Sequence, residues 1–271
     1  MQRSWNHLYE NASKMLKLAI SQGSFPQYVY KYKSKDPKNP LFLDNIIIKN
    51  EIYFSSPLDF NDAFDCQIEP DTTNNYDEIL NWLKRISSGD NTIDVHDIAQ
   101  KCINDPAYFN KCILKSIDMN KYGVLCLSKE ANNDLLWGIY ADGNKGVCLE
   151  FDMLQDPSFF STCVRVHYSD KYPCYNHLTA KEGDLVQKLI CTKNTNWDKE
   201  KELRIVEISS GIYQFQKLAL SSIIFGLRTP PAECQRLIDL CQTNSMEHVK
   251  IMKVIKTHRS FKLNVVKYQS P

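Results

Sequence analysis

Apolar positions along this chain change period repeatedly, and each change marks an element. Trp5, Leu8, Met15, Leu16 and Ile20 supply one side of an amphipathic N-terminal helix over 1–22. Gly23-Ser24-Phe25-Pro26 breaks that helix, and Tyr28–Lys33 (YVYKYK) then alternates aromatic, β-branched and cationic residues as a strand does. Ser34–Pro40 is a loop. Leu41–Lys49 returns to helical spacing through Leu41, Phe42, Ile46 and Ile47, and Glu51–Ser56 (EIYFSS) is a second strand stopped by Pro57. Residues 72–121 change character: they are rich in Asn, Asp and Lys, with helical periodicity in Tyr76–Arg85, Val95–Ile103 and Ala107–Ile117. This stretch predicts a helical insertion or lid within a single domain spanning 1–271.

After the insertion, Tyr122–Ser128 (YGVLCLS) is a strand. Leu135–Asp152 (LLWGIYADGNKGVCLEFD) is the stretch that organises the rest. Asn132-Asn133-Asp134 caps a helical turn carrying Trp137 and Tyr140 on one face. Ala141-Asp142-Gly143-Asn144 has turn chemistry, because Gly and Asn tolerate positive φ. Gly146–Phe151 follows as a strand whose near-continuous apolar run predicts burial on both faces. Trp137 is either a core anchor or one wall of a pocket. Further on, Cys163–Tyr168 (CVRVHY) alternates as a strand, Lys181–Cys191 is a helix, and Trp197–Val206 opens polar and becomes a strand. Leu220–Phe225 is a strand stopped by Gly226, Pro230–Gln242 a helix, and His248–Lys256 and Phe261–Tyr268 closing strands. Strands in runs broken by helices, without strict alternation, predict an α+β fold: a central mixed or antiparallel sheet system with flanking helices.

Composition adds a few exclusions. Hydrophobic residues make up 43% and charged residues 24% of 271, ordinary for a globular chain with a real core. The net charge of +1 argues against a surface given over wholly to nucleic acid, though a local basic groove stays open. No apolar run is long enough to span a bilayer, and the N-terminus has no secretion-signal pattern, so a cytoplasmic protein without membrane contact is expected. The ten cysteines are scattered without CxxC spacing, which points to reduced thiols rather than a disulfide framework or a zinc site.

Three polar strand-ends offer chemistry: Tyr30-Lys31-Tyr32-Lys33; Tyr53-Phe54-Ser55-Ser56 with Asn61, Asp62 and Asp65; and Glu200-x-Glu202-x-Arg204. Alternate strand positions share a face, so Glu200, Glu202 and Arg204 line one side while Leu203 and Ile205 take the other. A surface ion pair at the sheet edge is the plain reading of the charged side; a rigid carboxylate beside an aromatic wall is the functional one. In FNDAFD, Asx-turn capping outweighs metal binding, and no metal is expected.

The order YKYKS, IYFSSPLDFNDAFDC, GVLCLS, LLWGIYADGNKGVCLEFD, WDKEKELRIV and SIIFG resembles the bacterial family known as domain-of-unknown-function family 2971, from Tyr28 to Tyr268. Ala63 stands where that family often has proline. A weaker resemblance, to ADP-ribosyltransferases, rests on Tyr30-Lys31-Tyr32, then Tyr53 with Ser55-Ser56, then Glu200-x-Glu202; the first strand lacks Arg or His, and Ser55-Ser56-Pro57 replaces Ser-Thr-Ser. It implies a transferase using NAD as co-substrate, a bacterial toxin or antiviral defence effector with a macromolecular acceptor. Glu202 and Glu200 would be catalytic, and Tyr30, Lys31, Tyr53, Ser55, Trp137 and Tyr140 would hold the nucleotide. The competing readings are a ligand- or protein-binding module without turnover, and a metal-dependent nuclease built on Asp62, Asp65 and Glu200.

Overall fold

The computed structural model describes residues 2–34, 41–87, 92–181 and 183–269, with side chains from residue 11 onward. From 35 on, the expected Ser34–Pro40 loop lies outside the described residues, as do the side chains of Trp5 and Leu8. The elements run α1 (Gln2–Ser21), β1 (Tyr28–Lys33), α2 (Phe42–Ile48), β2 (Glu51–Phe54), β3 (Glu69–Pro70), α3 (Tyr76–Ile86), α4 (Val95–Asn104), α5 (Pro106–Ser116) and β4 (Gly123–Ser128). There follow α6 (Asp134–Ile139), β5 (Val147–Asp152), β6 (Val164–Arg165), β7 (His167–Ser169), β8 (Cys174–Tyr175), α7 (Asp184–Ile190) and β9 (Thr192–Asn194). The chain closes with β10 (Glu202–Glu207), β11 (Gly211–Gln214), β12 (Leu220–Phe225), α8 (Pro231–Thr243), β13 (Lys250–Lys256) and β14 (Leu263–Lys267). The class is α+β, as the pattern predicts. No helix among the described residues is long and apolar enough to cross a membrane.

The chain divides into two compact units where the sequence predicts one domain with an insertion. Unit 1 comprises 1–55, 122–166 and 196–271; unit 2 comprises 56–121 and 167–195. The second return to unit 2 is what the periodicity misses. CVRVHY reads as one strand, but it is cut at Val166: that residue's N–H donates to Glu202 O at 3.1 Å, while the His167 N–H donates to Cys191 O at 2.7 Å.

Unit 1 is built on a mixed eight-stranded sheet of order β14-β13-β12-β5-β1-β4-β10-β6, parallel between β12 and β13 and antiparallel at its other pairings. One face carries the main core, in which Val29, Leu127, Leu149, Leu203, Ile205 and Ile223 pack with Leu16 of α1, Ile46 of α2 and Leu237 of α8. Leu16 and Ile20 turn α1 toward that core, whereas Met15 is 65% exposed, so the apolar side is narrower than its spacing suggests. The opposite face has a smaller core around Trp137, Tyr32, Cys148 and Ile224.

Unit 2 has a core of its own, formed by Ile79, Trp82, Leu83, Cys102, Phe109 and Ile113 with Leu178 packed against it. Its helices α3, α4 and α5 start where the sequence says they should: Asn75 and Glu78 form a reciprocal capping box on α3, and Asp94 and Asp105 cap α4 and α5. Helix α7 starts at Asp184, three residues later than expected, after Gly183, which supplies no side-chain cap. The short parallel pair β3–β8 ties the two segments of this unit together, and the parallel pair β7–β9 closes the second segment on itself. His177 sits edge-on to Trp82 and Tyr175, and its Nδ1 is buried without a hydrogen-bonding partner among the described residues. Burial, then the nearby Arg85 charge, lowers its pKa below the ordinary 6.5. A histidine harder to protonate folded than unfolded adds stability above pH 6.5 that is lost as pH falls through 6.5 toward the depressed value. Melting temperature should therefore drop on mild acidification, and His177→Gln should flatten that dependence; an unflattened curve would place the titration elsewhere.

Candidate functional site

The late Glu-x-Glu-x-Arg motif does not lie in one strand. Thr195–Glu200 is a short 3₁₀ segment, Lys201 takes a left-handed φ of 49°, and only then does β10 begin. Glu200 is therefore lifted off the alternation that would align it with Glu202 and Arg204. Its carbonyl accepts from Ser128 Oγ at 2.7 Å, and its carboxylate accepts from Tyr140 Oη at 2.8 Å. Tyr140 reaches it from the C-terminal end of α6, the turn that the sequence stretch around Trp137 predicts.

Glu202 and Arg204 do share a face, opposite Leu203 and Ile205, but they are not a surface pair. Arg204 is fully buried and Glu202 is 5% exposed. The contact is bidentate, Arg204 Nε to Glu202 Oε1 at 2.8 Å and an η-nitrogen to Oε2 at 3.1 Å. β10 lies one strand in from the β6 edge, its Leu203 and Ile205 side packs into the main core, and Glu202 to Ile205 are all buried, so the charged side is enclosed as well. Beside the pair, burial and then the Glu202 charge push the Cys126 thiol up to about 12.

Register sets a polar row across the same face. Glu202 stands opposite Ser128, Ser128 opposite Tyr30, Tyr30 opposite Glu150 and Glu150 opposite Ser222. Directly paired residues point to the same side, so five neighbouring strands contribute one side chain each. Glu150 collects three donors: Tyr30 Oη at 3.0 Å, and Ser221 and Ser222 Oγ both at 2.7 Å. Two consecutive serines reach one carboxylate because the β12–β5 register slips between Leu220 and Ser222. Burial, then the Glu150 charge, raises the Tyr30 pKa, so Tyr30 stays a neutral donor.

Of the residues singled out from sequence, Tyr30, Tyr140, Glu200 and Glu202 gather around Ser128. The remaining four do other things. Lys31 Nζ donates to Cys126 O at 2.8 Å, filling the gap along β4 between the Tyr30 pairing at Ser128 and the Ser55 bridge at Val124. Ser55 is thus four residues along β4 from Ser128, about 13 Å at strand rise. Tyr53 lies in the β2–β11 ribbon, with its ring against Phe42. Trp137 is fully enclosed and donates to Ala131 O at 2.9 Å. Ser128, Glu150, Ser221 and Ser222 were not foreseen; the signals were a single acid inside GVCLEF and a serine pair interrupting LALSSIIF.

In unit 2 the FNDAFD loop is held by an Asx turn, Phe64 N–H to Asp62 Oδ1 at 3.0 Å. Asp65 is buried against Lys193 at 3.8 Å and accepts from the Cys66 N–H at 2.8 Å. Among the described residues no three His, Cys, Asp or Glu side chains are grouped so as to hold a metal ion. No protein-family model, curated protein or solved structure matches the chain.

Proposed function

We propose that the polar row of unit 1 holds NAD and that the protein is an ADP-ribosyltransferase-like enzyme, acting in the bacterial cytoplasm as a toxin or defence effector. The observation that carries this reading is the register that sets Tyr30, Ser128 and Glu202 side by side. A first-strand hydroxyl and a late-strand carboxylate thereby face one span of about 10 Å, two strand spacings wide. In this reading Tyr30 and Tyr140 flank the nucleotide and Glu202 accepts a hydrogen bond from the ribose 2′-hydroxyl. Lys31 and Ser55 support the edge of β4, and Trp137 supports the segment behind it.

The bond that breaks joins nicotinamide to ribose C1′, and its electron pair leaves with neutral nicotinamide. The Glu202 charge stabilises the oxocarbenium-like ribose, the kind of electrostatic contribution that dominates many enzymes. An acceptor group of a macromolecule attacks C1′ and gives up its proton, which Glu200 can take.

The arginine clamp decides how this is tested. Glu202→Gln alone would remove the charge that faces a buried guanidinium, so lost activity could reflect lost folding. Glu202→Gln with Arg204→Met removes both charges together. The double variant should fold, and its release of nicotinamide from NAD should fall roughly 10²–10³-fold. Undiminished turnover in a folded double variant would end the catalytic role of Glu202.

A second reading, a nucleotide-binding module without turnover, is favoured by that same clamp, since both carboxylate oxygens of Glu202 already meet the guanidinium. NAD binding by calorimetry, with no nicotinamide released at high protein concentration, would select it.

A further inference from the structure

The β13–β14 hairpin ends in a feature that the polar row does not use. Lys256 pairs with Leu263, and the six residues between them, THRSFK, form a tip closed by Thr257 N–H to Lys262 O at 2.9 Å. Arg259 turns the chain with a left-handed φ of 52°. Phe261 then points wholly into solvent, at 103% relative exposure. A bare aromatic ring at a hairpin tip gains nothing from the fold, because every apolar contact it could make has been given up to water.

Charge surrounds this ring. A cavity of about 430 Å³ opens beside it, lined by Phe261, Lys262, Lys199 and Lys201, together with Glu130 and Asp134. The hairpin is anchored there, since Asn132 Nδ2 donates to Leu263 O at 3.2 Å. Cations exceed acids across the neighbourhood: Arg259 lies on the tip, and Arg165 and Lys201 both stand near Lys129. Burial, then the Arg165 and Lys201 charges, lowers the Lys129 pKa. This local excess sits on a chain whose net charge is only +1.

We propose that this hairpin tip and the cationic wall beside it bind single-stranded nucleic acid, with Phe261 stacking on a base and Lys199, Lys201 and Lys262 meeting phosphates. An aromatic platform beside cations that track a backbone is the general design of single-strand binding. An unpaired base can lie on a protruding ring, whereas a base held inside a duplex cannot. The cavity is of small-molecule size, suited to an unstacked nucleotide rather than to a helix groove. Glu130 and Asp134 give the wall acceptors for exocyclic amines, and they make it a poor partner for an anionic lipid surface. None of these side chains belongs to the polar row, so the inference stands apart from the NAD reading.

The test is fluorescence anisotropy of the full chain with labelled oligo-dT and oligo-U, over a series of salt concentrations. Three phosphate contacts predict a log–log salt slope of about −2. Phe261→Ala should weaken binding roughly tenfold. Because that ring touches nothing in the fold, its removal leaves folding intact. Lys199→Gln and Lys262→Gln should each make the slope shallower by about 0.7. Unchanged affinity in Phe261→Ala would overturn the proposal. So would binding to anionic phosphatidylserine vesicles with none to either oligonucleotide.

Discussion

Arg204→Met is expected to destabilise the protein by about 3–5 kcal/mol, measured as the shift of the denaturant midpoint of unit 1. The arginine is fully buried, and its removal leaves the Glu202 carboxylate 5% exposed without the guanidinium that neutralises both its oxygens. Water cannot take over at that depth. Glu202→Gln alone should cost a similar amount, because it leaves the guanidinium charged. The double variant is the informative one. A buried ion pair replaced by neutral groups of similar volume is often close to neutral in stability, so the two losses should not add. Two single costs that simply sum would show that the side chains do not depend on each other. If the double variant melts like the wild type, its NAD turnover can be read as chemistry rather than as folding.

Much of the architecture was legible in single-strand patterns. β12 coincides with the run Leu220–Phe225, and helices α3, α4 and α5 carry their caps in plain view at Asn75, Asp94 and Asp105. What was not legible depends on partners distant in the chain. β3, β7, β8 and β9 are two or three residues long, too short to show any period, and so the second segment of unit 2 passed for part of one domain. The polar row is likewise invisible within any one strand. It exists because β12, β5, β1, β4 and β10 lie side by side in that order, which no local pattern prescribes. Lys201 hid the most: lysine has no preference for left-handed backbone, so nothing in EKELR announced that Glu200 would leave the face of Glu202.

The stretch that organises the sequence also links the second core to the site, and this gives the other large expectation. Trp137→Ala should cost about 3–5 kcal/mol, the range for removing a large buried aromatic. The indole is fully enclosed among Tyr32, Leu136, Cys148, Ile224 and Val254, with the Tyr32 ring edge-on at 5.2 Å. Its removal also leaves the Ala131 carbonyl without its indole donor. The loss should not stay local. Tyr32 Oη donates to Glu130 O at 2.7 Å and accepts from the Asn133 N–H at 3.3 Å, so the ring that Trp137 supports fixes the segment before α6. Asn133 Nδ2 in turn donates to Lys199 O at 2.5 Å, one residue from Glu200, and Tyr140 at the end of α6 holds the Glu200 carboxylate. Trp137→Phe keeps most of the apolar volume and loses only the indole hydrogen bond, so it should retain most of the stability. Amide hydrogen exchange would separate the two effects. In Trp137→Ala, protection should fall at Glu130–Asn133 and Lys199–Lys201 while the β12–β13 pairing keeps its order. Exchange that rises evenly over unit 1 would mean that Trp137 contributes bulk to the core and nothing to the placement of Glu200.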